Sequence, residues 1–142
     1  MRFHRDVEYA LISLSAMTQD GNVHSARKLA ERHNVPYGLL CKILQRLAGA
    51  GILESTQGPT GGYRLILDPD KVSLSTIMDA VHGEQHVAPC LDTGDCGRID
   101  GCTIRDGVVM VQTMWDRMMS RMSLQDFVAD SGTVANLIGE EA

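Results

Sequence analysis

Residues 25–65 read SARKLAERHNVPYGLLCKILQRLAGAGILESTQGPTGGYRL, and this stretch decides the fold. Ser25 is a residue type that caps helix N-termini, and it predicts a short helix over 26–33 that ends at the turn residue Asn34. Apolar residues then recur at three- and four-residue spacing and predict a second helix over 36–48. Two short helices joined by a tight turn are typical of a helix-turn-helix.

The same stretch continues into a predicted β-hairpin. Residues 52–55 and 63–67 have the pattern of strands, and the glycine-rich segment 57–62 between them is typical of a turn. A hairpin directly after the second helix of a helix-turn-helix is a wing. Glycines at its tip let backbone amides approach a phosphate or the minor groove closely. A purely structural hairpin in a small domain is the alternative interpretation.

The charge distribution is compatible with DNA binding although the net charge is −5. Within residues 22–64 there are six basic and two acidic side chains, and the acidic excess lies in 83–142. A phosphate backbone responds to local charge over a Debye length of about 8–10 Å. The sequence shows no signal peptide and no apolar run of about 20 residues, so we expect a cytoplasmic protein without a membrane partner. No hydrolase or nucleotide-binding motif is present, so we do not expect an enzyme.

The remainder of the chain is predicted to be mostly α-helical. Apolar spacing predicts a first helix through residues 7–17 and a fourth helix from Ser73 to Gly83. We expect four regions: a winged helix-turn-helix domain over 1–83, a cysteine-rich loop over 84–103, a dimerisation helix with a short terminal helix over 104–131, and a flexible tail over 132–142. The long helix carries an apolar seam at alternating steps of four and three, which favours pairing with a second copy over packing within one chain. The seam comprises Ile104, Val108, Val111, Trp115, Met118 and Met122.

Three cysteines in the loop, Cys90, Cys96 and Cys102, have C-x5-C-x5-C spacing. Zinc sites usually use pairs two to four residues apart and four protein ligands, so this spacing favours an iron–sulfur cluster. Three free thiols that form transient disulfides are the alternative. Three cysteines leave at least one coordination position unfilled. The candidates to fill it are Glu8, His4, His33, His82 and His86.

Together, the segment from Tyr9 through the helix-turn-helix, the wing sequence GPTGGYRL at 58–65 and the cysteine spacing resemble the Rrf2 family of bacterial winged-helix regulators, of the IscR, NsrR and RsrR types. The resemblance covers about residues 1–128. It implies a homodimer that binds pseudo-palindromic promoter sites in double-stranded DNA, usually as a repressor. It also implies that the three loop cysteines hold a [2Fe–2S] or [4Fe–4S] cluster near the partner's DNA-binding domain.

Comparison with the branches of the family gives an order among the fourth-ligand candidates. The IscR branch uses a His three residues after the last Cys, and here that position is Arg105, which stays protonated. The NsrR branch uses an acidic residue just before the Tyr-Ala of the first helix, supplied by the other subunit, and Glu8 matches it. The RsrR branch also uses a His at the end of the second helix, matched by His33. The resemblance therefore implies Glu8 first and His33 second.

The resemblance also assigns the DNA contacts. It implies that residues at the start of the recognition helix contact the bases. Cys41 is expected to face the groove, and burial in the core is the alternative. The wing has Gln57 where the family commonly has an Arg. The expected DNA-binding residues are Ser25, Arg27, Lys28, Tyr37, Gly38, Cys41, Lys42, Arg46, Ser55, Gln57, Gly58 and Thr60.

The sequence thus predicts a dimeric transcriptional regulator that senses redox state, nitric oxide or iron–sulfur status. The nearer alternative is a regulator of the same fold that responds to thiol oxidation without a metal. The more distant one is a thiol redox or metal-binding module that does not bind DNA, which leaves the basic helix-turn-helix and wing without a role.

Overall fold

The computed structural model describes residues 2–129, so the predicted tail over 132–142 lies outside the described residues. The described chain is mostly helical with one two-stranded antiparallel hairpin, which confirms the predicted fold class. Its N-terminal part consists of α1 (Arg5–Thr18), α2 (Ala26–His33), α3 (Tyr37–Gly49), β1 (Leu53–Thr56), β2 (Gly62–Leu65) and α4 (Leu74–Val81). Within residues 2–129, every helix is too short or too polar to cross a bilayer.

Local capping explains the turn between α2 and α3. The Ser25 side chain accepts a hydrogen bond from the Lys28 amide, as its residue type predicts. Asn34 ends α2 in the left-handed conformation with φ 53°, and its amide donates to the last carbonyls of that helix. Pro36 precedes α3 as its N-cap, one residue before the position expected for it. The sequence therefore placed the turn correctly, to within a residue.

The core lies between α1, α3 and α4, with α2 and β1 closing its sides. Each of the three central helices contributes one apolar stripe at three- and four-residue spacing. The largest fully buried side chains include Leu14, Met17, Leu40, Ile43, Leu44, Leu47, Ile52, Leu74 and Ile77.

The wing is attached to the helix-turn-helix through the backbone. Strand pairing runs from Leu53 opposite Leu65 to Thr56 opposite Gly62. Beyond the hairpin, the amide and carbonyl of His24 exchange hydrogen bonds of 2.8 and 2.9 Å with those of Tyr63. A Cβ at Gly62 would lie 2.2 Å from the His24 carbonyl oxygen, so only glycine permits this close approach.

The segment over 84–103 is more ordered than the sequence predicted. It contains α5 (Pro89–Asp92) and a 3₁₀ turn over Ile99–Gly101, and both are too short to give a periodic pattern.

The C-terminal elements are α6 (Arg105–Arg121) and α7 (Leu124–Val128). Ser123 caps α7 and forms a capping box with Asp126. The Leu74 amide donates to the Met122 carbonyl, and the Leu124 amide donates to the Val72 carbonyl. These bonds fix the C-terminal end of α6 to the start of α4.

Candidate DNA-binding face and cysteine loop

The start of the recognition helix α3 carries a cluster of side chains from two elements. The Arg27 guanidinium carbon lies 4.4 Å from the centre of the Tyr37 ring, which is a cation–π geometry. Cys41 is half-buried, one turn after Tyr37. Interaction with the Cys41 side chain raises the pKa of Tyr37, whereas the Arg27 guanidinium acts in the opposite direction. Sequence reasoning had named these residues separately and missed their contact.

A second group of predicted DNA contacts lies between α2 and the tip of the wing. A cavity of about 780 Å³ is lined there by Ser25, Lys28, Arg32, Pro59 and Thr60, among others. It combines the N-terminus of α2 with two basic side chains, which suit an anionic oxygen, and with one carboxylate, that of Glu31, which opposes it. The other predicted contacts, Gly38, Lys42, Ser55, Gln57 and Gly58, are exposed on α3 and the hairpin.

Arg46 stands apart from the other predicted DNA contacts. Its Nη1 donates a 2.8 Å hydrogen bond to the carbonyl oxygen of Val81, the last residue of α4. The two residues are 35 positions apart in the chain, and no local pattern indicates the contact.

The three loop cysteines are half-buried free thiols that line one cavity of about 760 Å³. Arg98 and Arg105 line the same cavity. Cys90 lies in α5, while the Cys96 carbonyl and the Cys102 amide both bond to Ile99.

The side chains that line this cavity fit an anionic group with sulfur ligands. Arg105 Nη1 is buried and has no hydrogen-bond acceptor among residues 2–129. A buried guanidinium N–H without an acceptor is costly, and an anion in the cavity would satisfy it. Over the same residues, no three His, Cys, Asp or Glu side chains lie close enough to hold a single metal ion. Thiolates are the usual protein ligands of iron–sulfur clusters.

Glu8 and His33 line one cavity together. It is a different cavity from the one that the three loop cysteines line. The cavity of Glu8 and His33 measures about 590 Å³ and is otherwise largely apolar, with Phe3 and Phe127 in its wall. Glu8 is exposed. His33 Nε2 is buried and has no hydrogen-bond partner among the described residues.

The other three histidines among the ligand candidates, His4, His82 and His86, already have partners. His82 Nδ1 lies 2.9 Å from Asp6 Oδ2, and the His4 ring stacks on the His82 ring with centroids 3.7 Å apart. His86 lies 3.7 Å from a carboxylate oxygen of Glu84. The structure therefore gives these histidines roles in local polar contacts and ring stacking.

The predicted seam of α6 divides into two parts. Trp115 and Met122 are half-buried against the core of their own chain, next to the buried Met119. Next to the side of α6 that packs on the core, the helix surface carries exposed apolar residues. They are Ile104, Val109, Met110, Val111, Met114 and Met118. The sequence analysis missed Met110 and Met114, although methionines recur every four residues from 110 to 122.

A family profile described as "Rrf2: Iron-dependent Transcriptional regulator" matches residues 3–130. The chain belongs to the Rrf2 family. It is therefore a helix-turn-helix transcriptional regulator, and the resemblance found in its sequence is confirmed.

Two relatives illustrate how the chain compares with other Rrf2-type proteins. A protein of Aquifex aeolicus, described provisionally as an HTH-type transcriptional regulator, is 28% identical over 99% of this chain and 94% of its own length. The regulator IscR of Vibrio campbellii is 28% identical over 80% of this chain, which spans 63% of that protein. Both are named as regulators rather than as enzymes.

Solved structures confirm the fold. CymR of Bacillus subtilis, titled a global cysteine regulator, superposes with a TM-score of 0.69 at 18% identity, over 92% of this chain and 99% of that one. IscR of T. potens superposes with a TM-score of 0.65 at 20% identity, over 90% and 86% of the two chains.

Proposed function

We propose that this Rrf2-family regulator is a dimeric repressor whose affinity for promoter DNA is set by an iron–sulfur cluster in the cysteine loop. One observation carries the proposal: Cys90, Cys96 and Cys102 line a single cavity together with Arg98 and Arg105. The description of the family as iron-dependent, and the relation to proteins named IscR, support it.

The residues of the cavity have complementary tasks. Thiolates are the usual protein ligands of iron–sulfur clusters, and both [2Fe–2S] and [4Fe–4S] cores accept them. Two guanidinium groups offset the negative charge that three thiolates and the inorganic sulfides bring together. When bound, the cluster supplies an iron centre that oxidants or nitric oxide alter. The protein supplies the position and the charge balance.

Glu8 and His33 are the proposed source of the remaining ligand, from the partner subunit. Support comes from their place in one cavity that does not include the cysteines of the same chain. The buried Nε2 of His33 has no hydrogen-bond partner among residues 2–129, so a hydrogen bond or a bond to a metal held by the partner subunit would stabilise it. Glu8 remains the first choice because its exposed carboxylate is accessible to a second subunit.

This arrangement would connect the cysteine loop to DNA recognition. The recognition helices of a dimer read two half-sites about 34–36 Å apart. If the loop of one subunit holds the first helix of the other, then release of the loop changes the relative placement of the two recognition helices. Several lost base contacts at about 1–3 kcal/mol each would abolish specific binding.

Anaerobic reconstitution with iron and sulfide tests the proposal. We expect a coloured protein with two or four irons per chain. Its affinity for a duplex selected from a random pool should differ at least tenfold from that of the iron-free protein. Cys96→Ser should lose the iron, whereas Cys41→Ser, which removes the one cysteine outside the loop, should keep it. A colourless wild-type protein without iron would reject the cluster.

A metal-free thiol switch is the second candidate. It is favoured by four half-buried free thiols and by the absence, within the described range, of a ready single-ion site. In that case, iron-free protein should respond to hydrogen peroxide with a disulfide between loop cysteines and a changed DNA affinity. Replacement of all three loop cysteines by serine should remove that response.

A further inference from the structure

The start of the cysteine loop contacts three helices, and we call residues 81–87 the loop base. It begins at the last residue of α4 and ends three residues before Cys90. Val81 is 1% exposed, so its side chain is packed in the core at the end of α4, where the loop base begins. What holds the loop base therefore determines how the loop is placed relative to the DNA-binding face.

Arg46 attaches the loop base to the recognition helix. Its guanidinium donates to the Val81 carbonyl at 2.8 Å. The last carbonyls of a helix have no amide partner within the helix, and they carry partial negative charge. A cation at this position satisfies the carbonyl and interacts favourably with the end of α4. Arg46 itself lies in the last turn of α3, while recognition helices contact bases mainly through their N-terminal residues.

His82 attaches the loop base to α1. Its Nδ1 lies 2.9 Å from the carboxylate of Asp6, in the first turn of that helix. The Asp6 carboxylate also accepts a hydrogen bond from the Val7 amide. Glu8, the proposed ligand for the partner's cluster, lies two residues further along the same helix.

Gln112 attaches the loop base to α6. Its side-chain amide donates to the Gln85 carbonyl at 2.9 Å, and its side-chain oxygen accepts from the Val87 amide at 2.8 Å. The same amide group donates to Asp116 at 2.8 Å. Both ends of the loop base are therefore held by charged or amide side chains of helices distant in sequence.

We infer that Arg46 is a positioning residue that couples the cysteine loop to the recognition helix through the Val81 carbonyl, and that it is not a phosphate contact. The inference rests on the proposed function, since it names the path by which the loop acts on α3. A movement of the loop base shifts the carbonyl that Arg46 holds. The recognition helix then follows, because Arg46 is part of α3.

The test compares Arg46→Gln with Lys42→Gln, one turn earlier on the exposed side of the same helix. Dissociation constants of the iron-loaded and iron-free proteins are measured on the selected duplex at several salt concentrations. For Arg46→Gln we expect the dissociation constants of the iron-loaded and iron-free proteins to agree within about twofold. The dependence of the affinity on salt concentration should be that of the wild type. For Lys42→Gln we expect equal weakening of both forms and a salt slope smaller by about 0.9.

Equal weakening of both forms by Arg46→Gln, with a reduced salt slope, would identify a phosphate contact and overturn the inference. If the two forms of the wild type bind equally, the proposed function itself fails. Amide hydrogen exchange of the iron-free protein then still tests the coupling. Binding of the duplex should slow exchange over residues 81–91 in the wild type and not in Arg46→Gln, and equal protection in both proteins would contradict the coupling.

Discussion

The guanidinium of Arg27 lies over the ring of Tyr37, 4.4 Å from its centre, across the turn between α2 and α3. The contact holds a flexible cation at the N-terminal end of the recognition helix, where base contacts are made. An exposed cation–π contact contributes about 0.5–1 kcal/mol. We therefore expect Arg27 and Tyr37 to act as one unit in DNA binding.

Tyr37→Ala should weaken DNA binding, and a double-mutant cycle with Arg27→Ala should give a coupling energy of about 0.5–1 kcal/mol. Tyr37→Phe is the control because it keeps the ring and removes only the hydroxyl. Fluorescence anisotropy with the selected duplex measures each affinity. Additive effects of the two alanine variants would show that the contact has no role in binding.

Gly62→Ala should detach the wing from the helix-turn-helix. The added methyl would lie 2.2 Å from the His24 carbonyl, in the middle of the backbone pairing with Tyr63. Overpacking of this kind costs about 1–3 kcal/mol, so we expect a lower free energy of unfolding in urea. In Gly38→Ala the methyl meets open space within a helix, and this variant should be stabilised by about 0.5–1 kcal/mol. An unchanged stability for Gly62→Ala would contradict the geometry.

Asp79→Asn should stabilise the protein at neutral pH. Partial desolvation raises the pKa of Asp79, which remains largely exposed, and the carboxylates of Glu84 and Asp116 raise it further. A raised pKa in the folded state means that this group favours folding below its unfolded pKa of about 3.9, and that the contribution is lost as the pH rises through the folded value.

The stability gained by Asp79→Asn should accordingly be present at pH 7 and vanish below about pH 4. Thermal melts of both proteins from pH 3 to 8 measure the difference. Asp70→Asn serves as the control, because Asp70 is exposed in a separate 3₁₀ turn, Pro69–Lys71, between β2 and α4. A constant difference across the pH range would assign the effect to something other than ionisation.

The sequence predicted the parts of the fold that depend on neighbouring residues. The α2–α3 turn follows from Ser25 and Asn34, and the core stripes follow from spacing along single helices. The contacts that build the site join residues far apart, such as Arg46 with Val81 and Gln112 with Gln85. They depend on how the helices pack, and no pattern within one segment carries that information. The side of α6 that faces the core of its own chain also depends on helix packing, and the sequence does not indicate it.

Mixed dimers test whether each proposed cluster site uses both subunits. A chain with Cys96→Ser and a chain with Glu8→Ala should each hold little stable cluster alone. Refolded together, the heterodimer contains one site with both defects and one with neither, so iron should return to about one cluster per heterodimer, or about half a cluster per dimer over a randomly paired mixture. Glu31→Ala, on the exposed side of α2, is the control for Glu8. Failure of the mixture to regain iron would place all ligands in one chain.

Met114→Glu tests the surface through which α6 is proposed to pair with a second copy. Met114 is 64% exposed and lies between Met110, at 60%, and Met118, at 47%, along one ridge of the helix. Trp115 and Met122 already pack on their own core, so the uncovered apolar area is centred on the neighbouring methionines. A carboxylate there would have to be buried in the dimer without a partner, which is strongly unfavourable.

We therefore expect Met114→Glu to lower the association constant of the dimer by at least tenfold in sedimentation analysis. The helix content, measured by far-ultraviolet circular dichroism, should stay unchanged. Ser120→Glu, which adds the same charge on another side of α6, should leave the dimer intact. DNA affinity should fall in parallel for Met114→Glu, because a monomer reads only one half-site. If Ser120→Glu dissociates the dimer and Met114→Glu does not, the pairing surface lies on a different face of α6.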